Sequence, residues 1–436
     1  MADATAVREP GWLTERRTRA ADLARSLHLP HFKGTPGWEF TALDRYAPES
    51  FTPAMPGEGD ASAVDRVQTL LEAPEGAIIL GQVDGRVVDA PDVVDAQPTS
   101  SAATADGPVV LPLTLAVERY PELVEPYLGT IVAGDQDVFT ADNDAAWTGG
   151  AFVYVPRGVR VEAPILLTAI ADAAGTALHR RTLIVLDDGA EAEIWEQFLS
   201  GSEDGETVLN TVVELVVGQN ANLRYVCGQD LNEKSWIFGT QRATVARDGQ
   251  LDWAAVAFGS AKGKVRMNTL LDGQGAHAKV TGAYAPHARQ HMDFDTTQEH
   301  GAANTTSDLA FRGILSDRST AVWRGMIKVD PGAQQTDAFQ ECRNLLLSKR
   351  AHADAIPGLE ILANDVRCTH AAAIAQIDPD QLFYLRSRGI PEAAATRLVI
   401  EGFLAELVER FADGPIREAV ASALERRLAD VLGVST

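Results

Sequence analysis

The stretch Val212-Val-Glu-Leu-Val-Val217-Gly218-Gln-Asn-Ala221-Asn222-Leu-Arg-Tyr-Val226 sets two apolar, β-branched runs on either side of a four-residue turn. Such a pattern predicts strands. Similar runs occur at Phe152–Val155, Ile165–Ile170, Thr182–Leu186, Lys279–Tyr284 and Thr320–Val329, all within a segment from Ala151 to Leu347. Related turns separate them: Asp188-Gly-Ala-Glu, Asp248-Gly-Gln-Leu, Asp272-Gly-Gln-Gly and Asp330-Pro-Gly-Ala. Gly189, Gly218, Gly249 and Gly275 follow at intervals of 29, 31 and 26 residues, and Gly332 comes 57 after Gly275, about two such intervals. A recurring strand-and-turn unit of this size suits a β-solenoid of stacked coils. Asp-Gly is also a strong hairpin signal, so the period alone leaves a sandwich of antiparallel hairpins equally open.

Outward from this segment the pattern is helical. Trp12, Leu13, Leu23 and Leu27 predict an amphipathic helix over residues 11–29. Shorter helices are expected at Ala61–Glu72 and Leu111–Leu128, with a linker from Ala90 to Pro108. Beyond Ile377, Asp378 suits an N-cap, Pro379 a first helical position and Gly389 a left-handed exit. A second helix carries Ile400, Phe403, Leu404, Leu407, Val408 and Phe411, and a third carries Ile416, Val420, Leu424, Leu428, Val431 and Leu432. The expected organisation is a mostly helical region at 1–146, a β core at 147–377 and a helical domain at 378–436.

A chain of 436 residues can bury a sizeable core. Its formal charge of -23 argues against a nucleic-acid or anionic-membrane surface. No apolar run approaches the roughly 18–20 residues that span a bilayer. Three cysteines, Cys227, Cys342 and Cys368, fit a reducing compartment, and the expected location is cytoplasmic.

Two constellations carry possible metal chemistry. Cys368 and His370 lie two apart on one extended segment, so their side chains share a face, and both residue types bind iron, zinc or copper. His287-Ala-Arg-Gln-His291-Met-Asp293-Phe-Asp295, followed by Glu299-His300, places His291, Asp293 and Asp295 on one side of a strand. His291, Asp293 and His300 are therefore candidate metal ligands, against the plainer reading of a polar sheet face. Gly259-Ser-Ala-Lys-Gly-Lys264-Val265 lacks the glycine spacing and the hydroxyl residue of a phosphate loop, so any ATP hydrolysis falls to another chain.

Four segments follow in order: Gln340-Glu-Cys342-Arg-Asn344-Leu-Leu-Leu-Ser348, Pro357-Gly-Leu-Glu-Ile361, Asp365-Val-Arg-Cys-Thr-His370 and Gln381-Leu-Phe-Tyr-Leu-Arg-Ser-Arg-Gly389. This series resembles the SufB/SufD family of iron–sulfur cluster assembly scaffolds, and most the SufD branch. The likeness continues through Phe139-Thr-Ala-Asp-Asn143, Ala151-Phe-Val-Tyr-Val-Pro156 and Gly37-Trp-Glu-Phe-Thr41. It implies a right-handed parallel β-helix between helical ends, and so decides for the solenoid. It also implies a non-enzymatic scaffold pairing with a SufB-type subunit, or with itself, and with the ABC-type ATPase SufC. A transient Fe–S cluster would be shared with the partner, and a flavin on the complex is allowed.

Carried over residue by residue, the likeness makes Cys368, His370 and Cys342 the candidate cluster donors. Cys342 stands where the SufD branch tends to have Asn and SufB has a cysteine, and its distance of 28 residues from His370 equals the SufB spacing. Two departures separate the chain from SufB. Thr369 and Ala371 replace glutamates beside the histidine, and the Gly-Cys sulfur-acceptor segment expected near Glu196–Asp204 is missing. The rival expectation is a metal-dependent β-helix or cupin-like enzyme built on His287, His291, Asp293 and Asp295.

Overall fold

The computed structural model describes residues 9–56, 59–90, 107–411 and 413–432. The strands form two ten-stranded sheets, and from Gly149 onward successive strands go to them alternately. Within each sheet, the strands from Gly149 to Gln376 run parallel to their neighbours in unbroken register, as in Lys262↔His291, His291↔Thr320 and Thr320↔His352. The result is a β-solenoid of about eight turns. The Asp-Gly turns therefore pass the chain from one sheet to the other, and the hairpin alternative does not occur there.

One corner of the solenoid explains the recurring turn. Gly189, Asn220, Asp248, Gly275, Asn304 and Gln335 sit there one per coil, all with positive φ between 53° and 77°. Each donates its backbone N–H to a carbonyl of the next coil, from Gln219, Arg247, Gln274, Ala303, Gln334 and Asp365 in turn. Gly, Asn and Asp tolerate that left-handed conformation best. The glycines at positions 218 and 249 mark the corner, while the strained position itself falls on Asn220 and Asp248.

The lumen holds the larger core, in which Ile194, Phe198, Tyr225, Trp253, Val280, Leu309, Phe311 and Trp323 are all fully buried. Most strands are covered on their outer faces too, which accounts for continuous apolar runs in place of strict alternation. The helix Gly11–Ser26 and the helices between 113 and 146 cover the first coils of one sheet, with Leu13, Val117 and Tyr120 against Phe152 and Leu183. The helices Glu392–Val408 and Pro415–Leu432 cover the other through Ile400, Leu404, Val420 and Leu424.

The N-terminal region differs from expectation. It contributes the strands Ile78–Val83 and Arg86–Asp89 to one sheet and Val109–Pro112 to the other, so it is not simply helical. Pro121 divides the segment expected as one helix into Leu113–Arg119 and Pro121–Val124. The helix expected at Ala61–Glu72 is only Ala63–Arg66, because Leu70 and Leu71 instead turn into the outer face of the sheet, where Leu71 N–H donates to Gln197 at 2.9 Å. The expected linker lies, at 91–106, outside the described residues. At the other end, Asp378 caps the helix Pro379–Ser387 by accepting from Asp380 N–H, and Gly389 leaves it at φ 86°.

Candidate functional site at the open end of the solenoid

The strands His352–Ile361 and Val366–Gln376 are the last in their two sheets, and no further strand pairs with either among the described residues. Register places Cys368 over Ala338, His370 over Gln340 and Ala372 over Cys342. All of these side chains lie on the lumenal face, and in the final coil that face opens to solvent. Cys368 and His370 share it, as their spacing requires. Strand geometry puts their α-carbons about 7 Å apart, Cys342 about 8 Å from His370, and Cys342 about 14 Å from Cys368.

The three candidate residues differ in exposure. His370 is exposed and has no hydrogen bond or ion pair among the described residues. Cys368 is half-buried against Ala338, Ala363 and Val366, and burial pushes its thiol above the ordinary value, with Asp337 adding to the effect. Cys342 is completely buried, and burial pushes its thiol to about 11. Asn344 Nδ2 donates to its Sγ at 3.4 Å, and the Tyr284 hydroxyl lies 3.6 Å away. Beneath it the lumen is filled: a Cβ at Gly282 would sit 2.3 Å from the Phe311 ring, which pairs in register with Cys342. A ligand can therefore reach Cys342 only from the mouth, past Ala372. Both thiols must lose a proton to bind a metal. Gln340 and Asn344, two residues either side of Cys342, share its face and complete this polar patch; their spacing was the available signal.

The structure does not bring the second constellation together at one point. His291 and His300 lie nine residues apart on one strand, about 30 Å by strand rise, and face opposite sides of the sheet. His300 is buried and held by the Thr305 and Ser307 hydroxyls at 2.8 and 2.9 Å. His291 contacts Thr41 Oγ1 at 2.9 Å and Thr320 Oγ1 at 2.7 Å. Asp293 accepts from Thr41 at 2.5 Å and from Lys264 Nζ at 2.9 Å. His287 pairs with Glu233 at 2.9 Å, and Asp295 faces Lys264 and Arg324, each at 3.9 Å. Among the described residues no three His, Cys, Asp or Glu converge on a point that could hold an ion. These groups instead seat Gly37-Trp-Glu-Phe-Thr41 on the sheet: Trp38 is buried against Phe139 and Phe238, and Glu39 pairs with Arg324 at 2.6 Å. Nor does Gly259-Ser-Ala-Lys-Gly-Lys264 cradle phosphate, because a Cβ at Gly259 would lie 2.0 Å from the Leu231 carbonyl and Lys264 is buried on Asp293.

Burial lowers His300 and His179 to about 4. Both are neutral in the folded chain above that value, while in the unfolded chain they protonate near 6.5. Their contribution to stability is therefore constant above about pH 6.5 and is lost as pH drops from 6.5 towards 4, opposed in part by the Asp142 carboxyl, which burial raises to about 6. In thermal melts across that window the midpoint of the parent should fall more steeply than that of His300→Gln; equal slopes would refute neutral burial of this imidazole.

A family model described as "SUF system FeS cluster assembly, SufBD core domain" matches residues 169–403. A second, described as "SufBD protein N-terminal region", matches residues 87–167. The chain belongs to the SufBD family. Within it the likeness is greatest to SufD. The iron-sulfur cluster assembly protein SufD of Bacillus subtilis is 29% identical over 425 residues, which is 96% of this chain and 95% of that protein. An iron-sulfur cluster assembly SufBD family protein of Staphylococcus saprophyticus is 29% identical over 289 residues, 66% of this chain and 62% of the relative. The SufBD core match takes in all three candidate donors and the whole open end. No helix among the described residues is long and apolar enough to cross a membrane.

Proposed function

We propose that this chain is a scaffold subunit in which the last coil supplies part of a coordination sphere that a second chain completes, an iron–sulfur cluster being the cargo assembled there. The observation that carries this reading is the open final coil, with Cys368 and His370 presented on its uncovered lumenal face. Three cysteines spread over at least two coils cannot supply the four thiolates of a common cluster at one point. The missing donors must come from elsewhere.

Backbone register supports one mode of attachment for such a second chain. His352 N–H donates to the Ser319 carbonyl and Leu362 N–H to Val329, so even-numbered amides of that strand face inward. Its free edge carries the odd-numbered ones, including Pro357, which has no N–H. Asp337 N–H donates to Thr305, and the parallel ladder then turns the amides of Cys368, His370, Ala372 and Ile374 to the free edge of the other sheet. That edge has no proline and only Arg367 as a charge. It suits strand addition by a partner β-helix of the SufB type, or by a second copy. Leu362, Ile374, Phe383 and Tyr384 are exposed nearby and would be covered in such a complex.

The chain offers no phosphate loop, so the energy for rearrangement would come from a SufC-type ATPase that favours one arrangement of the pair. Co-expression tests the reading. Purified complex should contain an ABC-type ATPase and a second SufBD-family chain, or a dimer of this one, and should accumulate iron and acid-labile sulfide under anaerobic reconstitution. A monomer that turns over a substrate by itself would overturn it.

A further inference from the structure

Opposite the left-handed corner, the turns that lead from the second sheet back to the first carry a different charge. Arg289, Arg318, Lys349 and Arg350 lie on three successive turns and are all exposed. The turns stack directly: Arg318 N–H donates to Ala288 at 3.0 Å, Leu347 N–H to Leu315 at 2.8 Å and His352 N–H to Ser319 at 3.1 Å. None of the four cationic side chains has a hydrogen-bond or ion-pair partner among the described residues, although the chain has 61 acidic residues against 38 basic ones. Arg289 also lines a cleft with Arg45 and Lys262 beside Trp236, extending the positive surface by two residues. The acids within reach are few. Asp317 caps the Ala288 N–H at 3.1 Å, Glu233 pairs with His287, and Glu206 lies on the rim of the cleft. Neighbouring Arg427, by contrast, is held by the carbonyls of Phe258 and Ala285 at 2.6 and 2.9 Å. The free cations are thus not holding the fold together.

We propose that this ridge docks a short acidic segment of a protein partner. Three stacked turns span about 10 Å, room for three or four carboxylates on an extended chain. At physiological salt fields reach only about 8 Å, so a short acidic segment feels the ridge and little of the remaining surface. A nucleic acid would extend past the ridge onto a molecule of net charge -23 and be repelled. The last turn of the ridge, with Lys349 and Arg350, lies beside the Gln376 end of the final strand, whereas Cys368 and His370 lie towards the start of that strand.

The test uses the full-length chain and two fluorescein-labelled probes, a hexaglutamate peptide and a twenty-nucleotide oligothymidine, in anisotropy titrations from low to physiological salt. The peptide should bind at low salt, weaken steadily as salt rises, and bind about tenfold or more weakly to the R289E/R318E/K349E/R350E variant. That variant should melt with the parent, since all four positions are exposed. No binding of the peptide, or equal binding to both proteins, overturns the proposal. Tighter binding of the oligothymidine than of the peptide overturns the choice of partner and with it the proposal.

Discussion

Replacing His370 by alanine is expected to leave the fold and melting temperature unchanged and to abolish most cluster accumulation on the assembled complex. The first half follows from its surroundings. An exposed imidazole without a hydrogen bond contributes little to stability, and exposed substitutions of this sort usually fall within about 0.5 kcal/mol. The second half follows from its position on the uncovered lumenal face of the final coil, between Cys368 and the buried Cys342. Iron and acid-labile sulfide per complex should fall at least about tenfold, the loss that removal of a ligand or its close support commonly brings. Cys342→Ala separates two roles for that thiol. If Cys342 is a donor, cluster content drops as it does for His370; if it only fills the lumen, stability drops and cluster content per folded complex is kept. Full cluster build-up with His370→Ala would remove the site assignment.

The largest effect on stability is expected inside the first coils. Glu196 is completely buried, and its Oε1 accepts from Arg180 at 2.9 Å and from Thr182 at 2.6 Å. Its Oε2 accepts from the Tyr225 hydroxyl at 2.6 Å. Arg180 is buried as well, with Gln82 as its remaining side-chain partner. Glu196→Ala leaves a guanidinium in the lumen without its counter-charge and should cost roughly 3–5 kcal/mol. That is a large share of the roughly 5–15 kcal/mol that holds most folded domains. Arg180→Met in the same chain should restore much of the loss by removing the stranded charge. Urea midpoints for the two single variants and the pair would decide it, and a single substitution that costs under about 1 kcal/mol would show the pair to be solvated.

The repeating strand-and-turn unit was legible, because a solenoid repeats its local problem, although the choice of solenoid over hairpins rested on the family resemblance. Each coil needs a residue that tolerates positive φ at this corner, and Gly189, Asn220, Asp248 and Gly275 announce it. That Cys368 and His370 would share a strand face was legible for the same local reason, since side chains two apart point the same way. What was not legible depended on contacts distant in sequence. The fate of His291 was decided by Thr41, 250 residues away. Nothing near His291 could show that its hydrogen-bonding capacity was already satisfied. The burial of Cys342 depends on Ala372 in the next coil and Phe311 in the previous one, and spacing alone cannot tell which coil is the last. Leu70 and Leu71 fit a helical stripe, yet the sheet face offered them a better cover.

The uncapped final coil also bears on how the chain fares alone. In a stack where each layer is held mainly by its neighbours, an end layer with one neighbour opens first. Amide exchange and protease cleavage should therefore begin between Val366 and Gln376 in an orphaned subunit. A mate that seals this layer would slow both. The cell's supply of one subunit would then set the lifetime of the other, matching their amounts without any dedicated regulator.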